Sequence, residues 1–151
     1  MAAPSKAHRM GEVVKVGGLE YTVLEAEWVP QIETPGGSRV PKDRFVLLRL
    51  AIRNVANRES TMPLLKLVDE QAREFPEVSD LREWQDWLGL LRVIQPGDML
   101  QGRIVFDAPT RDLRLQAADA TDAGSERHAL IEVPMTLNMA PPVPVPGAPK
   151  Q

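Results

Sequence analysis

From Phe45 to Arg53 apolar and polar side chains alternate. Val46, Leu48, Leu50 and Ile52 share one parity, while Arg49, Ala51 and Arg53 share the other. A period of two marks a strand with one face in a core, because successive side chains of an extended chain point to opposite sides. The same alternation recurs from Leu100 to Asp107, with Leu100, Gly102, Ile104 and Phe106 on one parity, and from Leu113 to Ala117. Leu19 to Val29 changes phase: Leu19, Tyr21 and Val23 occupy one parity, Leu24, Ala26 and Trp28 the other. A bulge near Leu24, or a strand that changes sheets, reconciles the halves. Shorter strands are expected at Glu12 to Val16, Met62 to Val68, Arg73 to Phe75 and Ala129 to Leu137. Pro134 places the last at a sheet edge or a bulge, since proline donates no ladder hydrogen bond. Gly17-Gly18, Pro35-Gly36-Gly37 and Pro96-Gly97 supply turn chemistry between these runs. About eight short strands with such punctuation predict an antiparallel β-sandwich.

One segment breaks the period. From Asp80 to Gly89, Leu81, Trp84 and Leu88 fall at i, i+3 and i+7, Leu91 continues the face, and Trp87 lies at its margin. That spacing predicts a short amphipathic helix with Asp80 as N-cap, Glu83 as its reciprocal partner and Gly89 as the terminating residue. Packed inward, the helix would lid an open end of the sandwich. Exposed at its margin, it would offer an aromatic shelf, since tryptophan is enriched at binding hot spots. Trp84 and Trp87 are therefore the candidate binding residues, Trp84 at the centre of the apolar face and Trp87 at its edge.

A chain of 151 residues with 43% hydrophobic positions has the size of one domain whose core needs no staple. It has no cysteine, which excludes a disulfide framework, a thiolate metal site and a cysteine nucleophile. A formal charge of -3 argues against a chain that coats nucleic acid or an anionic membrane. The basic residues between Arg39 and Arg58 read instead as a polar sheet face. Residues 1–10 form a short polar tail, residues 11–139 the domain, and residues 140–151 a tail carrying Pro141, Pro142, Pro144, Pro146 and Pro149. The proline tail is expected to be extended and solvated. No apolar run approaches the roughly 18 residues of a membrane span, and none near Met1 resembles a secretory signal.

The search for chemistry yields little. Neither His8 nor His128 has a Gly-x-Ser-x-Gly elbow beside it, and no phosphate-binding glycine loop occurs, so the protein is not expected to be an enzyme or to carry a cofactor. Asp69, Glu70, Glu74, Glu77, Asp80, Glu83 and Asp86 are dense enough to raise calcium, but lack the spacing of a calcium loop. Met10, Met62, Met99, Met135, Met139 and His128 raise copper, but form no Met-x-Met or His-x-Met pair.

The run from Phe45 to Asn54 resembles the strand ending in asparagine of the bacterial domain of unknown function 4352 (DUF4352). Other parts follow in the family's order. Gly18-Leu19-Glu20-Tyr21-Thr22-Val23 is similar to its opening strand. Leu67-Val68-Asp69-Glu70-Gln71-Ala72 with Phe75 is similar to its Asp-x-x-Gly hairpin, Ala72 standing in the glycine's place. Pro96-Gly97, Gly102 and Ile104-Val105-Phe106-Asp107-Ala108-Pro109 match its later turn and strand. The resemblance covers roughly Gly11 to Leu137 and supplies no catalytic residues. It implies an immunoglobulin-like fold common in secreted proteins and lipoproteins. The expectation is an all-β, immunoglobulin-like antiparallel β-sandwich with one short helix. Its expected role is a non-catalytic binding or accessory module of the bacterial cell envelope, with a protein or surface polymer as partner and neither nucleic acid nor a membrane span. A periplasmic copper- or calcium-handling protein is the alternative. An extracytoplasmic location follows if a signal was removed upstream of Met1, and a cytoplasmic one otherwise.

Overall fold

A computed structural model describes residues 7–81, 84–90, 92–109, 112–121 and 127–134. Twelve strands form among them. In chain order they are β1 (Val14–Val16), β2 (Leu19–Val29), β3 (Ile32–Thr34), β4 (Gly37–Arg39), β5 (Phe45–Asn54), β6 (Ser60–Thr61), β7 (Lys66–Asp69), β8 (Glu74–Pro76), β9 (Val93–Ile94), β10 (Met99–Asp107), β11 (Leu113–Asp119) and β12 (Arg127–Val133). One antiparallel sheet has the order β1-β2-β5-β10 and the other β12-β11-β7-β8; β3 pairs with β4 and β6 with β9. The sandwich predicted from the alternation is present. Among the described residues no helix is long and apolar enough to cross a membrane.

The alternating positions explain the main core. Leu19, Tyr21 and Val23 of β2, Val46, Leu48, Leu50 and Ile52 of β5, and Ile104 and Phe106 of β10 meet Leu67, Leu115, Ala117 and Ile131 of the second sheet. Full burial of one such leucine or isoleucine is worth roughly 1.5–3 kcal/mol, so a dozen of them outweigh any surface contact described below. The phase change in β2 is a bulge: Val23 faces Leu50 and Glu25 faces Arg49, which leaves Leu24 without a partner on β5. Beyond it Ala26 and Trp28 pack against the core. Gly17-Gly18 closes the two-residue hairpin from Val16 to Leu19, with Gly17 at φ +60°. Of the strand expected from Met62 to Val68 only the end forms, within β7; β6 stops before Met62, whose N–H turns to the Arg92 carbonyl (3.0 Å), and Pro63 has no N–H for a ladder. β12 ends before Pro134, at a sheet edge.

The helix expected over Asp80–Gly89 does not form. Trp84 N–H bonds the Leu81 carbonyl and Trp87 N–H the Trp84 carbonyl, both at 3.1 Å and both three residues back, so the chain makes two tight turns. Asp86 then adopts a left-handed conformation, φ +62°, and the backbone joins β10. Leu88 N–H reaches the Arg103 carbonyl (3.1 Å) and Arg103 N–H the Asp86 carbonyl (2.6 Å). The unpaired edge of β10 competes for groups that a helix would satisfy internally, and it wins. Gly102 makes the approach feasible: a Cβ there would lie 2.5 Å from the Asp86 carbonyl oxygen and 2.8 Å from Leu88 Cδ2. Glu83, the expected capping partner, and Leu91 lie outside the described residues.

A second apolar cluster occupies the outer face of the first sheet. Phe45 and Leu47 of β5 and Val105 of β10, on the parity opposite to the main core, pack with Ile32, Leu81 and Trp84. β5 is thus buried on both faces at its start and on one face afterwards. Short stretches also cover strand edges, as sandwiches require to avoid pairing with other chains. His8 N–H bonds the Leu130 carbonyl and Glu132 N–H the His8 carbonyl, both at 2.8 Å, so the end of the expected 1–10 tail lies along β12. Gly11 N–H reaches the Val23 carbonyl (2.9 Å), and Val78 N–H the Val105 carbonyl (2.8 Å). The turn after β8 is anchored by a buried pair, with Arg92 Nη1 and Nη2 each 2.7 Å from one Glu77 carboxylate oxygen. The expected proline tail, 140–151, and its boundary at residue 139 lie outside the described residues.

Candidate functional site

The β3–β4 hairpin lies against the outer cluster of the first sheet. Ile32 enters that cluster, and Arg39, opposite it in the ladder, donates from Nη1 to the Asp80 carboxylate (3.0 Å) and carbonyl (3.3 Å). These contacts fix the hairpin to the turn that carries Trp84. Glu33, between them on β3, accepts from Gln31 Nε2 (2.8 Å) and from Ser38 Oγ (2.7 and 2.9 Å), so its carboxylate is engaged within the hairpin.

Between hairpin and turn runs an open groove of about 450 Å³. Gln31, Ile32, Glu33, Thr34 and Pro35 border one side; Trp84, Gln85 and Arg103 border the other; Val29 and Leu47 add apolar surface. Arg103 is its central cation. The guanidinium carbon sits 4.1 Å from the centroid of the Trp84 ring, a cation–π contact worth about 0.5–2 kcal/mol depending on desolvation. Arg103 Nη2 donates to the Gln85 carbonyl (2.9 Å), while its buried Nε has no hydrogen-bond partner among the described residues. The ladder sets Arg49 directly opposite Arg103, an arrangement in which like charges repel. Among the described residues carboxylates take up only Arg49: its Nε lies 3.1 Å from Glu25 Oε1 and its Nη2 3.7 Å from Asp86 Oδ2.

The two expected site residues differ in placement. Trp84 is 7% exposed and forms part of the groove wall. Trp87 is half-buried, packs against the same cluster and pairs in parallel with Arg103 through its backbone, but does not line the groove. Its indole N–H is buried without a partner among the described residues. Arg103 and the β3 edge were not candidates from the sequence. Arg103 shows there only as an outward position in an alternating strand, and Pro35-Gly36-Gly37 only as a polar loop.

The strongest remaining electrostatic features serve the scaffold. Asp119 accepts from Gly18 N–H (2.7 Å), from Thr121 N–H (2.9 Å) and from the Thr121 hydroxyl. Burial alone would raise its pKa; these hydrogen bonds and Arg58 outweigh that and hold it below the ordinary carboxylate value. Asp69 behaves alike, burial being outweighed by Arg73 N–H (2.8 Å), Gln71 N–H (2.9 Å) and Arg73 Nε (2.9 Å). Tyr21 donates its hydroxyl to the Ala118 carbonyl, and burial pushes the phenol well above its ordinary value. Among the described residues no three His, Cys, Asp or Glu side chains come together as metal ligands.

Comparison with known proteins agrees with the architecture. Among solved structures, the yjhA protein of Bacillus subtilis superposes with a TM-score of 0.65 at 16% identity, over 84% of this chain and 99% of its own. A secreted protein of Mycobacterium tuberculosis, MPT63, gives 0.59 at 14% identity, over 87% and 100%. A functionally unknown protein of Listeria monocytogenes gives 0.59 at 8%, over 85% and 84%. At such identities the likeness is one of fold. No curated protein matches the chain. The family described as domain of unknown function (DUF4352) matches residues 8–127, and the chain belongs to that family.

Proposed function

We propose that the protein is a non-catalytic binding module of the bacterial cell envelope that contacts a partner protein through the groove beside Trp84. The observation that carries this reading is Arg103: a guanidinium stacked on an indole, bordering a groove of mixed apolar and polar lining, with one hydrogen bond to a backbone carbonyl and no carboxylate partner among the described residues. Arginine and tryptophan are the residues most enriched at binding hot spots, and a planar fork held by a ring loses little freedom on engaging a ligand. An envelope location draws support from the secreted protein with the same fold and from what the family resemblance implies. Trp87, packed against the outer cluster with its backbone paired to Arg103, acts on the site through that residue.

The reading is tested by placing a photo-crosslinking residue at Gln85 or Thr34 in the producing bacterium, with the same residue at Glu132 as a control on the other sheet. Specific adducts are expected from the groove positions only. Equal labelling from Glu132, or none from the groove, would overturn it. Fractionating cells that make the native gene product tests the location.

A further inference from the structure

Resting on that reading, we infer that the groove takes an extended peptide segment of the partner, added as a strand along the free edge of β3, with an acidic side chain of that segment on Arg103. Five successive residues, Gln31 to Pro35, border the groove. Side chains of a strand alternate between its faces, so the three successive residues of β3, Ile32 to Thr34, which Gln31 and Pro35 flank, place the groove along the strand's edge. Among the described residues β3 pairs with β4 along one edge alone. In such a ladder alternate residues direct N–H and C=O away from the partner strand, here toward the groove. By contrast, β2, β10 and β12 have backbone partners on their outer edges from Gly11, Val78 and Leu88, and His8. An open edge beside apolar surface is the setting for strand addition, with main-chain bonds giving affinity and alternate side chains giving specificity.

Charge decides the occupant's chemistry. Around the groove the described carboxylates leave Arg103 alone: Glu33 is matched by Gln31 and Ser38, Asp80 by Arg39, Glu25 and Asp86 by Arg49, and Glu27, opposite Leu47, forms no ion pair among the described residues. Arg103 is left with an aromatic face and a carbonyl. A carboxylate arriving on the peptide supplies the charge-assisted bidentate partner that none of the described residues does, and its neighbours in the segment can set apolar side chains against Val29 and Leu47.

Selection of displayed random octapeptides against the full chain, followed by amide NMR with the best binder, tests this. Enriched peptides are expected to carry an acidic residue at one position among alternating apolar ones, and to shift the amides of Gln31–Thr34 and Arg103. Exchanging that acidic residue for lysine in the peptide, or Arg103→Gln in the protein, should weaken binding by about tenfold or more. Methylating alternate backbone nitrogens of the peptide should weaken it similarly. The peptide changes leave the protein intact, so the outcome does not depend on a variant folding. No enrichment, enrichment without an acidic residue, shifts away from β3, or indifference to methylation would each overturn the inference. So would movement of the β3 signals on removing residues 140–151, which would mean that the chain's own segment fills the groove. Groove crosslinks that persist while methylation has no effect would refute strand addition and leave the binding reading standing; absence of those crosslinks would refute the reading itself.

Discussion

Asn54 closes β5 with its whole amide engaged. Its Nδ2 donates to the carbonyls of Ile94 (2.7 Å) and Arg58 (2.8 Å), its Oδ1 accepts from Ala56 N–H (2.8 Å), and it is fully buried. Asn54→Ala would remove all three hydrogen bonds of this buried amide, and is expected to cost about 3 kcal/mol, read as a lower urea midpoint. The alternation of β5 ends at this residue, but its partners lie up to 40 positions away, beyond the reach of any local pattern. Ala72 is the opposite case. It occupies the glycine position of the family's hairpin, and it takes the glycine's conformation, φ +63°, with its N–H on the Asp69 carbonyl (3.1 Å). The Asp69 hydrogen bonds hold the turn in spite of the Cβ. Ala72→Gly should therefore stabilise the protein by about 0.5–1 kcal/mol, because relief of left-handed strain exceeds the added freedom of the unfolded chain. A destabilised Ala72→Gly variant would mean that the turn carries no strain.

At the scale of elements, the alternating strands were legible because their period depends only on which face meets the core. The segment from Leu81 to Leu88 was half legible. Leu81, Trp84 and Leu88 are indeed the buried positions, since tight turns gather residues at this spacing on one side much as a helix does. The backbone path was not legible, for it is decided by the β10 edge and by the space left at Gly102. Nor was burial of Val105, Phe45 and Leu47, which depends on a hairpin and a turn covering the outer face. Trp84→Ala should cost roughly 3–5 kcal/mol as a core truncation, and Trp87→Ala about 1–2 kcal/mol. Chemical denaturation of the two variants separates them; similar costs would mean that both rings are equally part of the outer cluster. Only the Trp84 variant should also lose the cation–π support of Arg103.

For the molecule as a whole, Asp69 and Asp119 predict how stability depends on acid. Both carboxyls are held below their ordinary value of 3.8, so below that pH the unfolded chain binds protons that the folded chain resists. Their contribution is complete above the unfolded value and is lost as pH falls through the folded one. The melting temperature should accordingly fall below about pH 4, and Asp119→Asn should flatten that limb. Tyr21 acts at the other end: its buried phenol is held neutral above the ordinary value of 10.0, so stability should decline as pH rises beyond that value. An acid limb unchanged in Asp119→Asn would assign the loss to other groups. The layered architecture itself was legible, because eight or so alternating runs leave few ways to bury their faces. What joins the layers at their edges was not, since His8, Gly11 and Val78 contribute backbone rather than side-chain pattern. The bulge in β2 bears on something else, the length of the chain. Val23 faces Leu50 and Glu25 faces Arg49 with Leu24 between them unpaired, so a chain lacking Leu24 would run straight across the gap in unbroken alternation, Ala26 and Trp28 still inward. Deleting Leu24 is expected to give a folded protein with the circular dichroism of the parent, whereas deleting Leu48 from the middle of β5 should abolish folding, because every side chain beyond it would change face. Leu24 is the position in this sheet where evolution can insert or remove a residue without turning the domain inside out.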